Sequence, residues 1–261
     1  MKICYLICYN DLQEIGRSQK MEKEMCLDVE NQVVMSNDLI KGKSNLSLNE
    51  LKLLRLTIMQ VLAEDKDLMT YQVKIQDLSE ILAITSQSLY RDVMEMCKHL
   101  LQEIVCVGDG NPKHKWQMFQ WCSRCRYEDG IITIRLHDDL KPYLIQLKQH
   151  YTQYMLQDIL MLKTVYAVRL YELIREEMKG QKVYADKTAI VSLEVETIRK
   201  ATDTENKYEK MGMFKQRVID SAVSEINDKS RFNVTYEYIK KSRKIVAFKF
   251  KIESKNNIYR D

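Results

Sequence analysis

The residues best suited to chemistry in this chain are cations. Lys240, Lys241, Arg243 and Lys244 place four positive charges in five residues, between two alternating apolar segments. A tip of that kind reaches phosphates without burying charge, and each phosphate it neutralises releases a counterion. The same tip could also be a solvated basic turn. Lys215, Gln216 and Arg217 open an apolar-periodic helix just upstream. The first turns of such a helix can enter a major groove, where Arg or Lys suits guanine and Gln suits adenine. Lys207 and Lys210 precede them and are placed to hold backbone phosphates. A second set comprises Ser86, Gln87, Ser88, Tyr90 and Arg91, with Asp92 and Glu95 sharing its exposed side. Ser86 there also reads as a helix N-cap.

Catalytic and metal patterns are missing from the sequence. Cys122-Ser123-Arg124-Cys125 is a lone CxxC, with only Cys106 and His114 close enough in sequence to complete a zinc site. Strand alternation predicts that Cys122 and Cys125 point to opposite faces, so both read as incidental. The four histidines form no HExxH or HxH, and Asp138-Asp139 reads as a helix cap. Tyrosines are plentiful, but a rolling-circle nicking centre also needs a metal-binding histidine pair. Gly108-Asp109-Gly110 lacks a third glycine and no GxxxxGK[ST] occurs, which argues against a nucleotide-driven motor or a Rossmann dehydrogenase. No catalytic residue, metal ligand or cofactor is expected, and the protein is read as a non-enzyme.

The elements that must position the cations follow from periodicity. A helix over 49–64 carries Leu51, Leu54, Ile58, Val61 and Leu62, and Ser47 with Glu50 offers a capping box. A strand-like piece at Tyr71, Val73 and Ile75 leads to a short helix over 76–83, a tight turn and a longer helix over 87–102: a helix-turn-helix pattern. Strands over 104–107 and 116–126, joined by a turn over 108–115, read as the wing, with a mildly basic tip at Lys113, His114 and Lys115. A further strand covers 131–136. Helices are predicted over 151–162 and 164–178. A short strand over 191–193, a short helix over 194–202, a helix over 213–228 and strands over 233–239 and 245–252 then repeat the plan. The expected fold is α+β and helix-rich, with two tandem winged-helix domains. They are placed over 33–150, with weaker DNA contact, and over 151–261, the main DNA-binding part. A poorly constrained extension covers 1–32.

With 261 residues, 45% of them hydrophobic, the chain can bury a core for one large or two small domains. Only 7 Gly and 2 Pro argue against low complexity and long linkers. The net charge of +4 conceals an asymmetry: residues 205–261 hold 14 Lys and Arg against 8 Asp and Glu, and the rest hold 27 against 29. One end is basic, which points to a polyanionic partner. Seven scattered cysteines, several in apolar runs, fit a reducing cytoplasm better than a disulfide scaffold. The apolar start, Ile3 to Tyr9, is too short to span a membrane, and no other stretch approaches 18 apolar residues. A soluble, cytoplasmic protein is expected.

Three segments carry a resemblance to the iteron-type plasmid replication initiator (Rep) family. Val34-Met35-Ser36-Asn37-Asp38-Leu39-Ile40, followed by Leu46-Ser47-Leu48-Asn49-Glu50, is similar to the family's opening. Leu162-Lys163-Thr164-Val165-Tyr166-Ala167-Val168-Arg169-Leu170-Tyr171-Glu172-Leu173 is typical of its middle. Phe214-Lys215-Gln216-Arg217-Val218-Ile219-Asp220-Ser221-Ala222-Val223-Ser224-Glu225-Ile226-Asn227, with Val234-Thr235-Tyr236 and the basic tip, resembles its C-terminal signature. The sequence departs from the family at Ser221, where a proline is usual, and in its cysteine-rich first wing. The resemblance implies tandem winged helices that bind repeated origin sequences and open the origin with host factors. It also implies recruitment of host helicase and self-association, with dimers repressing the protein's own gene. It places Lys215, Gln216 and Arg217 on the second recognition helix and Ser86, Gln87, Ser88 and Arg91 on the first. A sequence-specific transcriptional repressor would share the DNA-binding features. A protein-interaction module with a merely solubilising basic tail is the reading from a different class.

Overall fold

The computed structural model describes residues 32–84, 87–108, 111, 113–181, 183 and 188–255. Of the extension expected over 1–32 only Gln32 is among them, and Ser86 lies outside them.

Strand β1 (Gln32–Ser36) runs into a short helix α1 (Asn37–Lys41), where the Ser36 side chain accepts from the Leu39 amide. Helix α2 (Leu48–Ile58) starts at the expected capping box, with Ser47 and Glu50 satisfying each other's backbone amides. It stops at Ile58 rather than at 64. Strand β2 (Thr70–Lys74) leads into α3 (Ile75–Leu82), and Ala83 turns the chain through left-handed backbone at φ 52°. Helix α4 (Leu89–Gln102) buries Leu89, Val93, Met96 and Leu100 as one stripe.

Two hairpins follow: β3 (Ile104–Gly108) with β4 (Trp116–Gln120), and β5 (Cys122–Glu128) with β6 (Ile131–Leu136). The single strand expected over 116–126 is therefore split at buried Trp121. This relocates the first wing. The sheet order is β2-β6-β5, so the hairpin on that sheet is β5–β6, whose two-residue turn Asp129-Gly130 has φ of 47° and 80°. The Lys113–Lys115 tip sits instead on an additional hairpin inserted ahead of it. A register shift in β5 between Cys122 and Arg124 pairs Cys122 with Leu136 and Cys125 with Ile134. The expectation of opposite faces is overturned: a bulge adds one residue, so both cysteines share the inner face.

After β6, a 3-10 turn (Asp138–Leu140) and helix α5 (Lys141–Leu144) are capped by the His137 ring, which accepts from the Asp139 amide. The cap expected from Asp138-Asp139 thus belongs to the preceding residue. The helix expected over 151–162 is also corrected. Strand β7 (Tyr151–Met155) pairs antiparallel with β1, and only α6 (Gln157–Leu160) is helical. Alternate burial of Thr152 and Tyr154 is the strand signature, and its partner lies far back in sequence.

The second unit repeats the plan: α7 (Val165–Glu177), capped by Thr164; β8 (Ala189–Glu194); α8 (Val195–Ala201); α9 (Met211–Phe214), continued by a π-helical turn (Lys215–Asp220) into α10 (Ser221–Lys229); then β9 (Phe232–Lys241) and β10 (Lys244–Ser254). The sheet order β8-β10-β9 matches β2-β6-β5, so both units are winged helices of one topology. Helix α7 joins them, packing on α10, β8 and α8 of the second unit and on α1 and β7 of the first.

Candidate nucleic-acid interface

The cations singled out by the sequence meet on one side of the second unit. In the helix α9–α10, Phe214, Val218, Ile219, Ala222 and Ile226 are buried, while Met213, Gln216, Arg217, Ser221 and Ser224 face out. The buried positions pack on the sheet, where Phe214, Tyr236, Phe248 and Phe250 form an aromatic cluster. Gln216 and Arg217 are exposed, and their side chains make no hydrogen bond or ion pair among the described residues, so their amide and guanidinium groups are available to a ligand. Lys210, at the N-cap of α9, is equally exposed. Lys207 is held by Asp203 at 2.8 Å.

Lys215 behaves differently. The π-turn spaces bonded residues five apart, which brings its ammonium to the Asp220 carboxylate at 2.9 Å. Tyr236, from β9, donates its hydroxyl to the same carboxylate, and its ring lies 5.6 Å from the Lys215 ammonium. Hydrogen bonds to Tyr236 and Asp220 raise the Lys215 pKa. Burial works to raise the Asp220 pKa, but the bonds from Tyr236 and Lys215 outweigh it and hold the carboxyl below its ordinary range. The cluster ties the recognition helix to the root of the wing. Sequence reading missed Asp220 and Tyr236, although the five-residue spacing from Lys215 to Asp220 was visible.

The wing itself is a two-residue turn, Ser242-Arg243, with Ser242 at φ 58°. Lys240, Lys241, Arg243 and Lys244 are all exposed and form no ion pair among the described residues. The Lys240 ammonium lies 5.1 Å from the Tyr238 ring, a cation–π contact that leaves its charge outward. A register shift between Ile245 and Ala247 puts a bulge in β10, and Val246 is exposed beside the tip.

The turn between the two helices of this unit is held by a residue the sequence did not single out. Arg199 stacks its guanidinium 4.1 Å from the Phe214 ring centre and donates to the backbone carbonyls of Thr204, Lys207 and Tyr208 at 2.7–2.8 Å. An arginine followed at a distance by polar loop residues offers no periodic signal, so only the fold reveals it.

In the first unit, Gln87, Tyr90 and Arg91 are exposed near the start of α4 and Ser88 is half-buried at its N-cap, without a side-chain capping bond. Arg91 is drawn to Asp92 at 3.2 Å, and Glu95 pairs with Lys98 at 3.6 Å. Tyr90 packs edge-on against Tyr127 of β5, with ring centres 5.7 Å apart. The face is mixed in charge and partly apolar, with Met94 exposed at its centre.

No cluster of three His, Cys, Asp or Glu side chains among the described residues could hold a metal ion, and none of their helices is long and apolar enough to cross a membrane. Cys97, Cys106, Cys122 and Cys125 are free thiols.

Residues 32–175 match the family model described as the initiator replication protein WH1 domain, and residues 194–252 match the initiator Rep protein WH2 domain. A replication initiation protein from Escherichia coli is 21% identical over 225 residues, covering 85% of this chain and 68% of that protein. Among solved structures, the Pi initiator protein in complex with iteron DNA aligns with a TM-score of 0.70 at 20% identity, over 87% of this chain and 99% of that one. That likeness concerns the fold.

Proposed function

The chain belongs to the replication initiator (Rep) family, in which two winged-helix domains follow one another, and from that premise we propose that it binds repeated origin DNA sequences and promotes origin opening with host factors. The observation that carries the proposal is the second unit's outward face. Gln216 and Arg217 stand unpaired on the recognition helix, beside a wing tip with four exposed cations. Such a helix reads base edges while the wing grips phosphates, and the two tasks need different side chains. The solved Pi initiator, similar in fold, is bound to iteron DNA, which supports the same use here.

The roles divide along the chain. The second unit is the main DNA-holding part, through Lys207, Lys210, Lys215, Gln216, Arg217 and the wing. The first contributes less, through Gln87, Ser88, Tyr90 and Arg91, and is the side through which copies self-associate. The work is binding work: recognition helices in successive major grooves and strain in the duplex that favours melting. It uses no cofactor and no catalytic group, takes place in the cytoplasm, and leads on to host initiator and helicase. The last three points and self-association rest on the family resemblance and on the free thiols.

The test is a gel-shift titration on direct repeats flanking the gene, against a scrambled duplex. Preference for the repeats is expected, with affinity falling on the order of 10³-fold between about 50 and about 200 mM salt. A flat salt response with no preference would overturn the DNA reading. Persistence of the replicon in a host lacking the gene would leave a repressor and sink the initiator.

A further inference from the structure

Helix α7 carries three charged residues that are almost wholly buried; Glu176 pairs with Lys41 of α1 at 3.0 Å, and the other two, Arg169 and Glu172, form a network of their own. Arg169 is 4% exposed and Glu172 is fully enclosed. Burying a charge is costly unless it is paired and its remaining hydrogen-bonding groups are satisfied, so their partners define what they do.

Arg169 spreads its planar fork over three elements. One Nη donates to Glu172 at 2.6 Å. The other donates to the carbonyls of Ile40 and Gly42, at the end of α1 in the first unit, at 2.6 and 2.9 Å. Nε donates to the carbonyl of Ala201 at 3.0 Å, the last residue of α8, where the second unit's helix-turn-helix bends. Glu172 in turn accepts from Arg55 of α2, at 2.7 and 3.2 Å, and from the Tyr154 hydroxyl of β7, at 2.5 Å. The two side chains therefore tie the first unit's framework helix to the turn that launches the second unit's recognition helix. Arginine suits the task because five donors in one rigid plane fix direction as well as distance, which a lysine cannot do.

We propose that Arg169 and Glu172 are positioning residues: they fix the separation and rotation of the two recognition helices, so the protein accepts only one spacing between the two halves of its DNA site. Two rigidly held helices can enter successive major grooves only when the grooves are presented at the matching interval along the duplex. A loosened joint would let each unit find its own half-site over a range of spacings. This rests on the proposal that both units contact DNA.

The experiment is selection of duplexes from a random-sequence library by the full-length chain, followed by sequencing. The wild type should enrich a two-part motif with a single spacing. Arg169→Lys keeps the charge beside Glu172 but cannot hold the three carbonyls. It should enrich the same two half-motifs with spacings spread over several base pairs. Arg55→Lys cuts the joint from the first unit's side and should spread them likewise. Inserting five base pairs in the wild-type site turns the second half to the opposite side of the helix. It should weaken wild-type binding by roughly tenfold or more and variant binding by much less.

Enrichment of no motif by the wild type would sink the DNA reading itself. A motif in which the wild type already tolerates many spacings, or variants that keep the single spacing, would overturn the joint alone. If circular dichroism shows that both variants are unfolded, the pair holds the units together rather than setting their angle, which also overturns it.

Discussion

The two winged helices share a sheet order but present different faces to a ligand. In the second, the recognition helix ends its apolar stripe cleanly, leaving Gln216 and Arg217 without partners, and a ten-residue strand carries the wing well beyond the core. In the first, the corresponding hairpin closes at Asp129-Gly130 immediately after Glu128, and Arg91 and Lys98 are engaged by neighbouring acids. Under the proposed function, topology supplies a place for nucleic acid, while unpaired charge decides how strongly the place is used. The near-neutral net charge of the whole chain is the sum of these two unlike halves.

Breaking the stronger side should have the largest effect. Replacing Lys240, Lys241, Arg243 and Lys244 together by alanine should lower duplex affinity on the order of 10²–10³-fold at moderate salt. It should flatten the plot of log affinity against log salt by about 3–4, since each lost phosphate contact removes about 0.9. Fluorescence anisotropy across a salt series measures both.

Next in size is an effect on what holds the two faces together. Burial works to raise the Glu172 pKa, but the charges of Arg55 and Arg169 outweigh it and bring the carboxyl down to about 2 from 4.5. A depressed carboxyl pKa contributes stability that is complete above the unfolded value and is lost as pH falls through the folded one. The contribution, about 3 kcal/mol, should therefore be intact at neutral pH and disappear from about pH 4.5 down to about 2. Urea midpoints over that range should fall more steeply in the wild type than in Glu172→Gln, which lacks the titrating group. Titration of this carboxyl should leave DNA affinity unchanged near neutral pH, where it stays ionised.

Arg217→Ala is expected to cost about 1–3 kcal/mol of binding and to relax preference at one or two base pairs, as loss of a base-contacting arginine does. Arg91→Ala, the matching change in the first unit, should cost less than about 0.5 kcal/mol, in line with a side chain already satisfied by an acid. Equal losses for the two arginines would erase the contrast between the units.

Much of this was legible from local signals. The Ser47–Glu50 box and the apolar stripes of α4 and α10 are short-range features, written within a turn or two of helix. The basic wing was legible for the same reason, since an exposed tip needs no distant partner. What escaped depended on partners far along the chain. Tyr151–Met155 becomes a strand because β1 lies ready to pair with it, and the first wing can be told from an inserted hairpin only by which strands share a sheet. Arg169, Glu172 and Arg199 look like the polar side of helices in sequence. Burial converts them into the framework, and no periodicity distinguishes a buried charge from a solvated one.

The π-turn from Lys215 to Asp220 carries one residue more than a regular helix needs over the same span, while Phe214 before it and Ala222 after it both remain packed in the core. Its register therefore has slack. A single-codon deletion inside the turn could be absorbed by closing it to an ordinary α-turn, with both flanks keeping their packing. The residues offered to the groove would change identity while the domain stayed folded. Under the proposed function, that is a short mutational path to a new address.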